Sequence, residues 1–183
     1  MISRNCLLPR VRYPRHMTEL DQIWSEMLGQ MQARATESGD HQLAEYLRLR
    51  ATNDAIRSRG VAWLFDTIIT LAAEQQRYRS NLMIEREEPY SFRRGNSNLV
   101  GSAVIVRQGV RCLTVAAGWV RTPSDGIMEK GALAYARFVH FGMQRSGEDL
   151  RLDFGDALPN WQTEDRERVD VDHVRRHIDI LLS

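Results

Sequence analysis

Apolar residues recur at three- and four-residue intervals through the first part of the chain and at every second position through the middle, so helices are predicted first and strands after them. A first helix is expected from Thr18, where Asp21 follows at near capping-box spacing. Leu20, Ile23, Trp24, Met27 and Met31 form its apolar stripe. Ser38, Gly39 and Asp40 break the period. A second helix follows over 41–59 with Leu43, Tyr46, Leu47, Ala51 and Ala55 on one side, and Gly60 is expected to end it as a left-handed cap. The third helix, 61–79, is apolar nearly all round (Val61, Trp63, Leu64, Phe65, Ile68, Ile69, Leu71, Ala72). It needs cover on several sides and is expected to lie on the sheet.

Pro89 marks the change to strands: Tyr90 and Phe92 alternate with polar neighbours, and stretches 99–107, 110–121 and 132–141 follow. Their residues divide into a bulky set and a small set. Val100, Val104, Val106, Leu113, Val115, Trp119, Leu133, Tyr135, Val139 and Phe141 are bulky; Gly101, Ala103, Cys112, Thr114, Ala116, Gly118, Ala132, Ala134 and Ala136 are small. Because side chains alternate across a strand, the two sets are assigned to opposite sheet faces. A Gln108-Gly109 hairpin loop pairs Val104 with Leu113. The ten-residue loop holding Pro123, Ser124, Asp125 and Gly126 leaves the register of the fourth strand open. Leu150, Leu152 and Phe154 make a fifth strand. Residues 155–169 read as irregular with Trp161 an anchor, and Asp170 opens a last helix carrying Val171, Val174, Ile178 and Leu181.

The predicted fold is α+β: an N-terminal three-helix group (18–80) packed on a five-stranded antiparallel meander sheet (88–155), with a short C-terminal helix (170–182), all one domain from residue 17 to 183. Helices segregated before strands exclude a doubly wound parallel sheet, which needs helical crossovers between strands.

Charge alters this picture only at the N-terminus. Residues 1–16 carry Arg4, Arg10, Arg12 and Arg15 and no acid. They are expected to be a disordered leader, or to precede a true start at Met17. The formal net charge is +1, and Lys130 is the one lysine, so no general basic patch is indicated. No apolar run reaches the roughly 20 residues of a membrane span; Asp66 interrupts the most apolar stretch, Val61 to Ala73. Cys6 and Cys112 form no disulfide or zinc framework, and a cytoplasmic setting is expected.

Candidate chemistry is sparse. His140 and Asp125 are the candidates for acid–base catalysis, and Arg121 or Arg137 could meet a small anionic substrate. His173 and His177 stand four apart on the last helix, but no glutamate lies between them and no third ligand is evident. Two solvated histidines and no metal are therefore expected. Asp54 is spaced to pair with Arg50 and Arg57. The candidate binding residues are Arg111, Trp119, Arg121, Tyr135 and Arg137, placed together on the bulky face.

No phosphate loop, dinucleotide fingerprint or cofactor motif occurs, so no cofactor is expected. The leading functional expectation is a non-catalytic cytoplasmic binding or assembly domain that forms a homo-oligomer through a sheet face. The alternative is a small enzyme or ligand-binding protein with a pocket between helix 61–79 and the small-residue face. A single-stranded nucleic-acid module on the Arg/aromatic face comes third; against it, the chain beyond residue 16 has 21 basic and 24 acidic groups and is mildly acidic.

Overall fold

A computed structural model describes residues 16–78, 81–155 and 160–183; the expected leader lies outside these residues apart from His16. Its contacts divide the chain into two compact units, residues 1–52 and 53–183. The fold is α+β, with three α-helices and one six-stranded antiparallel sheet among the described residues.

The first unit is helical. Helix α1 (His16–Glu37) starts two residues before Thr18, which therefore lies inside it instead of capping it. The chain turns at Gly39, whose φ of +76° suits a residue without Cβ, and Asp40 accepts a hydrogen bond from the Leu43 amide at 3.1 Å. Helix α2 (His41–Gln76) begins there. Arg50 lies 5.2 Å over the Trp24 ring, so α2 runs back along α1. Leu28, Ala35 and Leu47 are buried.

Gly60 does not end a helix: α2 continues through it to Gln76, so the expected second and third helices are one. The glycine has a packing reason. A Cβ at residue 60 would stand 2.7 Å from Leu152 Cδ2, and its carbonyl accepts a 2.8 Å hydrogen bond from the Trp161 indole. Gly60 is therefore a point of close approach between α2 and the sheet.

In the second unit the strands run in chain order, β1 (Leu82–Arg94), β2 (Ser97–Gln108), β3 (Arg111–Trp119), β4 (Ala134–His140), β5 (Glu148–Asp153) and β6 (Asn160–Gln162). The sixth strand lies where irregular chain was expected, and Trp161 within it is fully buried. The β2–β3 hairpin pairs Val104 with Val115 and Val106 with Leu113, two residues away from the predicted register. A two-residue shift preserves every face, so the bulky and small sets of β2 and β3 stand as predicted.

On β4 they do not. Leu113 pairs with His140, Val115 with Phe138 and Ala117 with Ala136, so Ala134, Ala136, Phe138 and His140 share the bulky face, and Tyr135, Arg137 and Val139 the small one. Helix α2 from Val61 onward and helix α3 (Val171–Leu182) cover the bulky face. Leu64, Phe65, Ile68, Val174, Ile178 and Leu181 are buried in one core with Val104, Val115 and Phe138. Two corrections follow. The bulky face is intramolecular core rather than a subunit contact, and helix 61–79 lies on the face opposite to the one where a pocket was expected.

The small face has another occupant. Gly101 pairs with Gly118, and a Cβ on Gly101 would stand 2.0 Å from the Ala117 carbonyl oxygen. Arg137 of β4 donates to the Arg93 carbonyl of β1 at 2.9 Å although two strands separate them in the sheet. The sheet therefore curls on its small-residue side, and Leu99, Ala132, Tyr135 and Phe92 pack inside the curl.

Candidate functional site

The five candidate binding residues do not make one surface. Arg111 reaches the last turn of α3, with Nη1 3.5 Å from the Leu181 carbonyl. Trp119 lies at the margin of the core between two guanidiniums, Arg121 at 3.8 Å and Arg57 at 5.6 Å. The remaining two are on the other face. Arg94 lies 4.1 Å over Tyr135, whose hydroxyl donates to the Glu129 carbonyl. Arg137 binds both carboxylate oxygens of Asp149 at 2.6 and 2.7 Å. Asp54 does pair with Arg57, at 2.7 Å.

The two catalytic candidates are also apart. Asp125 accepts from the Thr122 amide at 3.0 Å and hydroxyl at 2.7 Å, and Asn98 lies 3.5 Å away. The Thr122 hydroxyl is the main reason that its carboxyl titrates below the usual range. It shapes a turn beside the start of β2. His140, at the end of β4, pairs with Leu113 beside the β2–β3 hairpin, toward the other end of the sheet.

His140 instead joins a cluster that the sequence pattern does not reveal. His173 and His177 are buried, 7% and 6% exposed, which corrects the expectation of solvated rings. They share the inner side of α3 with Val174, Ile178 and Leu181, because residues four apart on a helix lie on one face. Glu148 comes from β5. Its period-two partners Leu150 and Leu152 are core residues, so alternation carries the carboxylate inward beside them.

One carboxylate oxygen receives both rings: Glu148 Oε2 is 2.7 Å from His173 Nε2 and 3.0 Å from His177 Nε2. The reactive atoms of Glu148, His173 and His177 lie within 4.8 Å of one another. His177 Nδ1 faces His140 Nε2 at 3.0 Å, and the His177 ring stacks on Phe138 with centroids 4.2 Å apart. Arg176 Nη2 lies 2.6 Å from His173 Nδ1.

Donor counting assigns the tautomers. A guanidinium only donates, so His173 Nδ1 accepts and its Nε2–H donates to Glu148. Likewise His177 donates through Nε2 and accepts at Nδ1 from His140. That leaves His140 Nδ1 a buried nitrogen with no hydrogen-bond partner among the described residues. Burial, then the neighbouring His177, lowers the pKa of His140, which favours its neutral form. Burial by itself would raise the Glu148 carboxyl, but the hydrogen bonds from His177 and His173 outweigh it and leave the group below its ordinary value.

Beside the cluster lies a cleft of about 500 Å³ whose walls include His140, Glu148, Arg137, Asp149, Thr163 and Glu164. Carboxylates dominate its charge. Neither a protein-family model, nor a curated protein, nor a solved structure matches the chain.

Proposed function

We propose that the chain is a non-catalytic assembly domain that pairs with a second copy of itself through α1 and the first turns of α2. One observation carries this reading. Ile23, Trp24, Met27 and Met31 on α1, with Leu43 and Tyr46 on α2, are large apolar side chains left exposed in one unit. On α1 they continue the stripe whose edge, Leu28 and Ala35, is buried, because two helices alone cover only one flank of such a stripe. Contiguous apolar surface of this kind marks an interaction site.

A second copy fits it better than an unlike partner of one charge. The flanks carry both signs, Glu26 and Glu45 with Arg34 and Arg48, so self-pairing meets no single-sign repulsion. Two such hairpins packed face to face make a four-helix bundle, which buries the exposed stripes at once. Size in solution tests the reading: light scattering should give twice the 21.1 kDa chain mass, and a monomer at high concentration refutes it.

The cleft beside His140 and Glu148 favours a second reading, a small enzyme or ligand-binding protein. Its site is then the cleft, and Asp125 takes no part. Single-stranded nucleic acid has less support, because the rings it needs, Trp119 and Tyr135, lie on opposite faces and already stack with arginines of this chain.

A further inference from the structure

We propose that Glu148, His173 and His177 form a binding site for a divalent transition-metal ion of the zinc class, independent of the assembly surface. Two imidazole nitrogens and one carboxylate oxygen converge from two elements, α3 and β5, within 4.8 Å. Two histidines and a glutamate are a sufficient protein ligand set for zinc, with a fourth position left to water or substrate. Imidazole selects zinc, cobalt or nickel over magnesium and calcium, which prefer all-oxygen sites.

The surroundings hold the rings for this task. Metal-binding histidines use one ring nitrogen for the ion and bond the other to a neighbour that fixes the ring. His177 does so through Nδ1 to His140, and Phe138 stacks against its face. The N···O separations of 2.7 and 3.0 Å are hydrogen-bond lengths. Ligands about 2.0 to 2.2 Å from a tetrahedral ion lie roughly 3.4 Å apart, so the two N···O separations must open by about 0.7 and 0.4 Å and the two ring nitrogens, within 4.8 Å of each other, must close by up to about 1.4 Å to admit it. Entry is available because Glu148 lines the cleft and keeps its side chain 27% exposed.

Ligation moves protons without releasing any. His173 and His177 coordinate through Nε2, and each ring's proton passes to Nδ1. His177 Nδ1–H then donates to His140 Nε2, and the His140 proton moves to its own Nδ1, the nitrogen that has no partner. His173 is different. Its protonated Nδ1 cannot face Arg176, which also donates, so the arginine must withdraw. Arg176 is exposed and can leave for solvent. The geometry therefore makes Arg176 a competitor of the metal.

Isothermal titration of the full chain with ZnCl2, paired with the visible spectrum of a Co²⁺ titration, tests this. One ion per chain is expected, with cobalt bands of a low-coordinate site. Glu148→Gln and His173→Gln should each weaken binding by at least the roughly 10- to 100-fold that loss of an outer partner costs. Arg176→Ala should tighten it. Absence of stoichiometric binding by the parent, or binding unchanged by both ligand substitutions, overturns the site. Where a ligand variant fails to fold by circular dichroism, the surface variant Arg176→Ala decides: tighter binding supports the site, and unchanged or weaker binding overturns it.

Discussion

The Trp161 indole donates to the Gly60 carbonyl at 2.8 Å, across 101 positions, and so ties the last strand to the middle of the long helix. A Cβ at residue 60 would meet the buried side chain of Leu152 at 2.7 Å, so a larger residue there forces Leu152 to shift. Alanine gains about 1 kcal/mol of helix propensity over glycine. Overpacking costs roughly 1 to 3 kcal/mol. Gly60→Ala is therefore expected to destabilise, by about 1 kcal/mol net. Gly29, where an added Cβ would meet nothing within 4 Å, is the control, and Gly29→Ala should stabilise α1. Denaturant unfolding followed by circular dichroism reads both; equal signs would refute the packing reason for Gly60.

Gly101 and Gly118 predict a larger effect. The atoms that a Cβ on Gly101 would meet, the Ala117 carbonyl oxygen and Gly118 Cα, belong to the backbone of the paired strand and cannot retreat as a side-chain tip can. Gly101→Ala is expected to cost about 3 kcal/mol, the upper end for overpacking. An unfolding midpoint close to the parent's would show that the curl of the sheet does not depend on this pair.

These two glycine sites also show what the sequence makes legible. Alternation assigned Val104, Val106, Leu113 and Val115 to one face correctly despite a shifted hairpin, since a shift of two residues keeps parity. Parity does not cross the fourteen residues between β3 and β4, so Tyr135 and Val139 exchange places with Ala134 and Phe138. Gly60 reads locally as a stop because its reason, Leu152 and Trp161, is about a hundred positions away. The histidine cluster had a usable signal. His173 and His177 are in phase with Val174 and Ile178, and Glu148 with Leu150 and Leu152, so polar groups sit at positions that periodicity marks as core. Their meeting across 25 and 29 positions is tertiary and has no local trace.

Tyr135 predicts a pH dependence. Burial, the first cause, raises its hydroxyl above the ordinary value of 10.0. The folded state thus favours the neutral phenol. The sign follows from linkage: the contribution is complete below pH 10 and is lost as pH rises through the folded-state value. Thermal midpoints measured from pH 8 to 11 should fall at the alkaline end, and less steeply in Tyr135→Phe. A variant as alkali-sensitive as the parent would assign the loss to other groups.

Self-association gives the prediction with the widest consequence, because two apolar surfaces compete for it. On the sheet, Phe141 is 73% exposed and Val139 is 45% exposed. They stand close together, since Val139 pairs with Thr114 and the Phe141 amide bonds the Cys112 carbonyl. The helical hairpin offers a longer stripe on two elements. Met27→Glu places a charge in the middle of that stripe, where pairing would bury it without a partner, at a cost of several kcal/mol per ion. Met27 is exposed in the single chain, so the substitution should leave the fold intact. Sedimentation at micromolar concentration should then report a 21.1 kDa monomer for Met27→Glu and a dimer for Phe141→Glu. The reverse outcome would move the interface to the sheet, and two monomers from a dimeric parent would show that both surfaces are needed.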